Sequence, residues 1–127
     1  MRLLLDTSAL LWWLDDDSRL GSKARAAIAD PRNEIFVSAA SAWEMSVKRA
    51  SGKLAVSFDI AEAIERNAFV ELPIGIAHAV AAGELIRHHA DPFDRMLIAQ
   101  SQLEGLRLVT SDGAIATYEV ELLDATA

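Results

Sequence analysis

Three consecutive leucines, Leu3-Leu4-Leu5, run straight into Asp6-Thr7-Ser8, and that junction constrains the fold more than any other stretch. A short continuous apolar run suits a strand buried on both faces, as parallel strands between helical layers are. Asp, Thr and Ser directly after it favour helix N-termini. The junction therefore reads as a strand turning into a helix, with the Asp6 carboxylate delivered to the strand's carboxyl end. In open α/β sheets those ends line the ligand crevice. Capping alone would also account for Asp6, so the other acids decide whether it does chemistry.

The same rhythm repeats along the chain. Ser18 to Asp30 carries a short helix and Asp30-Pro31-Arg32-Asn33 a turn, before a second strand at Glu34-Ile35-Phe36-Val37. Ser38 caps a helix running to about Ala50, with Gly52 as its stop. Asp59 to Asn67 reads as a helix, Phe69 to Leu72 as a third strand, and Ile76 to His89 as an alanine-rich helix with Leu85 and Ile86 on its buried side. Asp91-Pro92 opens another helix, Asp as cap and Pro in first position, reaching at least Gln100. Leu106 to Thr110 is a fourth strand, and Val120 to Leu123 a fifth near an edge. Strands alternating with helices predict an α/β fold, a parallel sheet covered on both faces, in a single domain spanning residues 1–127.

Four acids stand out in that frame. Asp6 and Asp112 fall at carboxyl ends of strands, while Glu44 and Asp94 lie in helices that follow strands or crossovers, so all four reach one crevice. Each has an ordinary alternative: a cap for Asp6, a capping box Ser41-x-x-Glu44, the helix dipole for Asp94, an Asp-Gly turn for Asp112. With Ser38 as the cap, Glu44 sits too far into its helix for the box. Lys48, Arg49 and Lys53 read as a solvated helix face, Asp15-Asp16-Asp17 as a solvated loop, Asp91 as a cap, and His88 and His89 as basic residues suited to a helix C-terminus. Ala9 to Leu14 is apolar all round if helical, so Trp12 and Trp13 cannot both face one core. Either one of them meets a second surface, another element or another chain, or the helix is central and thickly covered.

Clustered carboxylates repel one another and call for protons or cations. Oxygen donors favour hard ions, Mg²⁺ or Mn²⁺. An ion of that kind, held by carboxylates and keeping some waters, can polarise a phosphate and activate water, so the chemistry suggested is phosphodiester hydrolysis. Thr7 and Ser111, each beside an acid, are candidates to orient a ligand or a water. Twelve basic and nineteen acidic residues give a net charge of −7, which excludes broad electrostatic adhesion to nucleic acid and makes any contact local. No cysteine is present, which removes disulfides, thiolate ligands and a Cys nucleophile. The longest apolar run, Ala9 to Leu14, is far short of the roughly 20 residues of a membrane span, and no signal segment opens the chain. A soluble, cytoplasmic protein is expected.

The ordered set Asp6-Thr7-Ser8, Trp43-Glu44 with Lys48 and Gly52-Lys53-Leu54, Asp91-Pro92-Phe93-Asp94-Arg95 running to Ala99-Gln100, and Thr110-Ser111-Asp112 resembles the PIN-domain ribonucleases. In particular it is similar to the VapC toxins of VapBC toxin–antitoxin pairs. The resemblance implies a three-layer α/β/α sandwich, an acidic pocket of Asp6, Glu44, Asp94 and Asp112 binding Mg²⁺ or Mn²⁺, and Arg95 as an auxiliary residue. It further implies an RNA substrate, a homodimer, and a cognate VapB-like antitoxin that silences the enzyme. After Asp112 the chain departs from the pattern, with Ile115 and Glu119 where the family often has an aromatic residue and a glycine. Three rivals remain: an aspartate-based phosphatase, which wants a second Asp behind the first and a later Lys where none occurs after Lys53; an inactive scaffold binding RNA or protein; and a metal-free nuclease using His88 and His89.

Overall fold

Why Leu3, Leu4 and Leu5 can all be buried is seen in the computed structural model, which describes all 127 residues. β1 (Arg2–Leu5) is the central strand of a five-stranded, all-parallel sheet in the order β3-β2-β1-β4-β5. β2 (Glu34–Ser38) lies on one side of β1 and β4 (Arg107–Thr110) on the other, with β3 (Val70–Leu72) and β5 (Leu122–Asp124) at the edges. Leu4 aligns with Phe36 and with Leu108 across the neighbouring strands.

Side chains alternate across a strand. Leu3, Leu5, Ile35, Val37 and Val109 point into one core with Leu10, Ala24, Ile28, Met45 and Ile60. Leu4, Phe36 and Leu108 point into the other with Leu97, Ile98, Ile115 and Tyr118. The first core is covered by α1 (Thr7–Leu14), α2 (Ser22–Ala29), Met45 of α3 (Ala39–Ala50) and α4 (Ile60–Arg66). The second is covered by α6 (Pro92–Glu104), on which α5 (Ile76–Glu84) packs. This is the expected α/β fold with a parallel sheet between helical layers. Each fully buried leucine contributes roughly 1.5–3 kcal/mol relative to exposure.

Local chemistry sets the boundaries. Ser38 caps α3 by accepting from the Ala40 amide, which removes the alternative Ser41–Glu44 capping box. Gly52 and Gly105, with φ of 77° and 66°, end α3 and α6 in the left-handed region that glycine adopts without strain. β5 begins two residues later than expected and ends one residue later, because Val120 and Glu121 belong to the preceding loop.

One expectation fails for a tertiary reason, and one open alternative is resolved in favour of a thickly covered α1. α5 ends at Glu84, not His89. The Arg95 guanidinium takes over the carbonyls at that end, donating to Ala82 and Leu85 at 2.9 Å each and to His89 at 3.1 Å. Ile86 consequently lies outside the helix and is 70% exposed instead of buried. Trp12 and Trp13 both pack against the first core, since α4 and the segment around Leu54 and Phe58 wrap over α1. Trp13 donates to Asn67 Oδ1 at 3.0 Å and meets Phe69, and Arg19 lies over the Trp12 ring. No helix is long and apolar enough to cross a membrane.

Candidate metal centre

The strand order reverses direction at β1: the chain moves outward through β2 and β3, then returns to the other side for β4 and β5. Such a switch point opens a crevice at the carboxyl ends of the strands. Asp6 follows β1 there, and Asp112 lies two residues past β4. The crossover returning to β4 brings in α6, whose first turn carries Asp94, and the α3 segment contributes Glu44.

Asp6 is buried. Its Oδ1 accepts from the Ala9 amide at 2.8 Å, so it does cap α1. Burial pushes its carboxyl up; Thr110 and the Ala9 amide offset part of this, while the charges of Asp112 and Glu44 add to it. The Thr110 hydroxyl accepts from the Asp112 amide at 3.1 Å, and it lies close enough to Asp6 to offset part of the rise there. Ser111, the hydroxyl singled out from the sequence, is exposed instead. In the sequence Thr110 reads only as the last residue of a strand.

Asp94 stands at the N-terminus of α6, where Asp91 caps by accepting from the Phe93 and Asp94 amides. Its carboxyl is raised to about 6, chiefly by burial, with the Asp91 charge next and Asp6 adding to it; His89 pulls it back. Asp94 Oδ2 lies 2.8 Å from His89 Nε2, which is itself 3.0 Å from Asp112 Oδ2. Asp112 also accepts from the Ala114 amide through Oδ1. Burial alone would lower the His89 imidazole, yet the hydrogen bond and charge of Asp94, with those of Asp112, leave it raised. His89, Asp94 and Asp112 present ligand atoms all within 4.8 Å of one another. Asp6 and Glu44 lie outside that circle and are coupled to the site through charge.

Glu44 is buried with both oxygens engaged: Thr7 donates its hydroxyl to Oε1 at 2.6 Å, and Lys48 Nζ pairs with Oε2 at 2.5 Å. Lys48 is therefore part of the pocket wall and not a free cation on a solvated helix face. The Glu44 carboxylate raises the Lys48 ammonium, and Asp91 and Asp94 add to the effect. Arg95 points away from the acids, into the carbonyls around the end of α5. The dipole explanation of His88 and His89 fails, because both lie beyond the end of that helix. His88 is exposed against the Tyr118 ring, while His89 enters the crevice. A histidine two residues before a capping Asp-Pro was the available signal for His89, but its side-chain direction depends on where α5 stops.

The PIN domain family model matches residues 3–121. This chain belongs to the PIN-domain family. Among curated proteins it is 27% identical over 119 residues to Ribonuclease VapC22 of Mycobacterium tuberculosis, covering 91% of each chain. Two solved structures share the fold of this PIN domain. VapBC2 from Rickettsia felis, bound to a DNA fragment from its promoter, superposes with a TM-score of 0.66 at 14% identity, over 97% of this chain and 98% of that one. A toxin-antitoxin complex from Klebsiella pneumoniae gives 0.65 at 19% identity, over 97% of both.

Proposed function

We propose that this PIN domain is a divalent-metal-dependent endoribonuclease of the VapC kind, the toxin of a toxin–antitoxin pair. The observation that carries the reading is the meeting of Asp6, Asp94 and Asp112, far apart in the sequence, at one sheet switch point where their charges oppose each other. The donor set fits a hard cation: carboxylate oxygens predominate, and Asp94 is raised chiefly by burial, with the Asp91 and Asp6 charges adding to it. Asp94 and Asp112 would hold the ion, with Asp6 behind them. A bound Mg²⁺ or Mn²⁺ would supply Lewis-acid polarisation of a phosphodiester and a more acidic attacking water.

The chain's own residues do the rest. Glu44 positions: it holds the Lys48 ammonium beside the acids and takes the Thr7 hydroxyl, so it shapes the pocket wall with neither oxygen left free. Lys48 gives a backbone phosphate one local cation on a chain of net charge −7. Thr110 holds the Asp112 amide and eases the burial of Asp6. Trp43 is 62% exposed, rests edge-on against Phe93 and adjoins Glu44, so it offers a face on which an unpaired base can stack. Control by a VapB-like antitoxin is supported by the toxin–antitoxin complexes of the related proteins, and assembly as a homodimer by what the family resemblance implies.

Incubation of the purified protein with total cellular RNA tests this reading. Cleavage is expected with Mg²⁺ or Mn²⁺ and none with a chelator. Asp6→Asn and Asp94→Asn should each lose at least about 100-fold with unchanged circular dichroism, since loss of the several kcal/mol of charge stabilisation that a metal supplies corresponds to that range. Full activity in both variants rejects the site. Chelator-resistant cleavage would instead support the histidine-based nuclease.

A further inference from the structure

His89 has no place in the acid-only pocket, yet it sits between Asp94 and Asp112. Its Nε2 lies 2.8 Å from Asp94 Oδ2 and 3.0 Å from Asp112 Oδ2. Both contacts have hydrogen-bond lengths, but a single Nε2–H would have to be shared between two carboxylates. Coordination to one ion would engage all three atoms at once. Donors at right angles around an ion with bonds of about 2.1 Å are about 3.0 Å apart, and both separations match that edge length. The ring's other nitrogen, Nδ1, makes no hydrogen bond within the chain, which leaves it available to carry the proton while Nε2 serves as a ligand.

The segment that carries the ring is fixed. Arg95 holds the His89 carbonyl at 3.1 Å and the carbonyls of Ala82 and Leu85 at 2.9 Å. The Tyr118 hydroxyl accepts from the His88 and His89 amides at 3.1 and 2.9 Å and donates to the Ile86 carbonyl at 2.6 Å. Two side chains from separate elements thus end α5 early and aim the imidazole at the acids. A residue that only decorated a surface loop would not be held this way.

Resting on the nuclease reading above, we infer that His89 is a direct nitrogen ligand of the catalytic cation, so that the centre is a mixed nitrogen–oxygen site which favours Mn²⁺ over Mg²⁺. Imidazole suits transition ions, whereas Mg²⁺ prefers oxygen donors. Asp94 and Asp112 supply the charge and His89 supplies the discrimination.

Pulsed electron paramagnetic resonance on the full-length protein loaded with Mn²⁺ reads this directly, through ¹⁴N hyperfine coupling to the ion. Coupling from an imidazole nitrogen is expected in the parent and in His88→Gln, whose ring lies outside the cluster, and is expected to vanish in His89→Gln. Titration should show Mn²⁺ affinity falling about 10-fold or more in His89→Gln, with Mg²⁺ affinity changed far less. Mn²⁺ bound in an Asp94-dependent way without nitrogen coupling overturns the inference and leaves the nuclease reading standing. So does His89→Gln binding Mn²⁺ as tightly as the parent, or more tightly, which would make the ring a counter-ion that metal displaces. Absence of any Asp94-dependent binding of Mn²⁺ or Mg²⁺ would sink both.

Discussion

The two ends of the sheet treat charge in opposite ways. At the amino ends of the strands, Arg2 faces Glu34 at 3.9 Å and Arg107 faces Glu121 at 3.7 Å, all well exposed, while the chain's terminal ammonium donates to Asn33 at 2.7 Å. Signs alternate there and water screens what remains. At the carboxyl ends, Asp6, Asp94 and Asp112 share a sign and lie partly out of water, with the Lys48 ammonium and the His89 ring nearby. The same strands serve both ends, so the parallel sheet does not itself demand concentrated acid. The carboxyl end keeps an unmet charge that a divalent ion would meet, whereas the amino end is already neutralised.

The largest difference should appear on adding metal. A ligand at about 100 times its dissociation constant stabilises by about 2.7 kcal/mol, which for a domain of this size raises the melting temperature by several degrees. Thermal melts with and without Mg²⁺ or Mn²⁺ should show that gain in the parent and in Glu34→Gln, and less than half of it in Asp94→Asn. Without metal, Asp94→Asn should melt no lower than the parent, since it relieves repulsion at the cost of a modest dipole contribution. Equal gains in all three proteins would erase the distinction between the ends.

How far the sequence reveals these two ends depends on the distance over which each feature is decided. The central strand and its acid are legible because Leu3-Leu4-Leu5 before Asp6-Thr7-Ser8 is a local pattern that burial on both faces requires. The cap at Ser38, the Asp91-Pro92 helix start and the placement of Asp94 and Asp112 are local in the same sense. What escapes depends on partners remote in sequence. The end of α5 is set by Arg95, ten or more residues beyond the Ala82 and Leu85 carbonyls it holds, and by Tyr118 further still, so the aim of His89 is written in no short window. Lys48 looks like a solvated residue until Glu44 is known to face inward. Thr110 displaces Ser111 because strand pleating alternates, and the first of the pair turns toward Asp6. Both tryptophans fit one core because the chain folds back over α1, which helical periodicity cannot show.

Acidity gives a smaller contrast. Asp94 is held at about 6 in the folded chain against an ordinary 3.8. The folded state therefore binds that proton more tightly than the unfolded state. The stabilisation is full below 3.8 and is lost as pH rises through about 6. Asp6 is raised as well and acts in the same sense. In chelator, the melting temperature should carry a downward component between roughly pH 4 and 6 that flattens in Asp94→Asn. Asp17 and Asp30, lowered to about 2 by their arginine partners, act in the opposite sense and in a separate window, losing their contribution only as pH falls below 3.8. An identical slope in parent and variant over the upper window would mean that Asp94 titrates there as an ordinary surface acid.

The smallest effect belongs to the amino end. Arg2→Ala breaks a contact of 3.9 Å between side chains that are 48% and 61% exposed. In water such a pair gains little Coulomb energy and spends side-chain freedom to hold its geometry, so its net contribution is about 0–1 kcal/mol. Arg2 also donates to the Glu104 carbonyl at 2.9 Å and lies over the Phe36 ring, which places the expected loss toward the upper part of that range, a few degrees in a thermal melt. RNA cleavage and the stabilisation by metal should both match the parent. Reduced metal stabilisation in Arg2→Ala would show that the two ends communicate through β1, and the acids could then no longer be treated as a site isolated by the sheet that carries them.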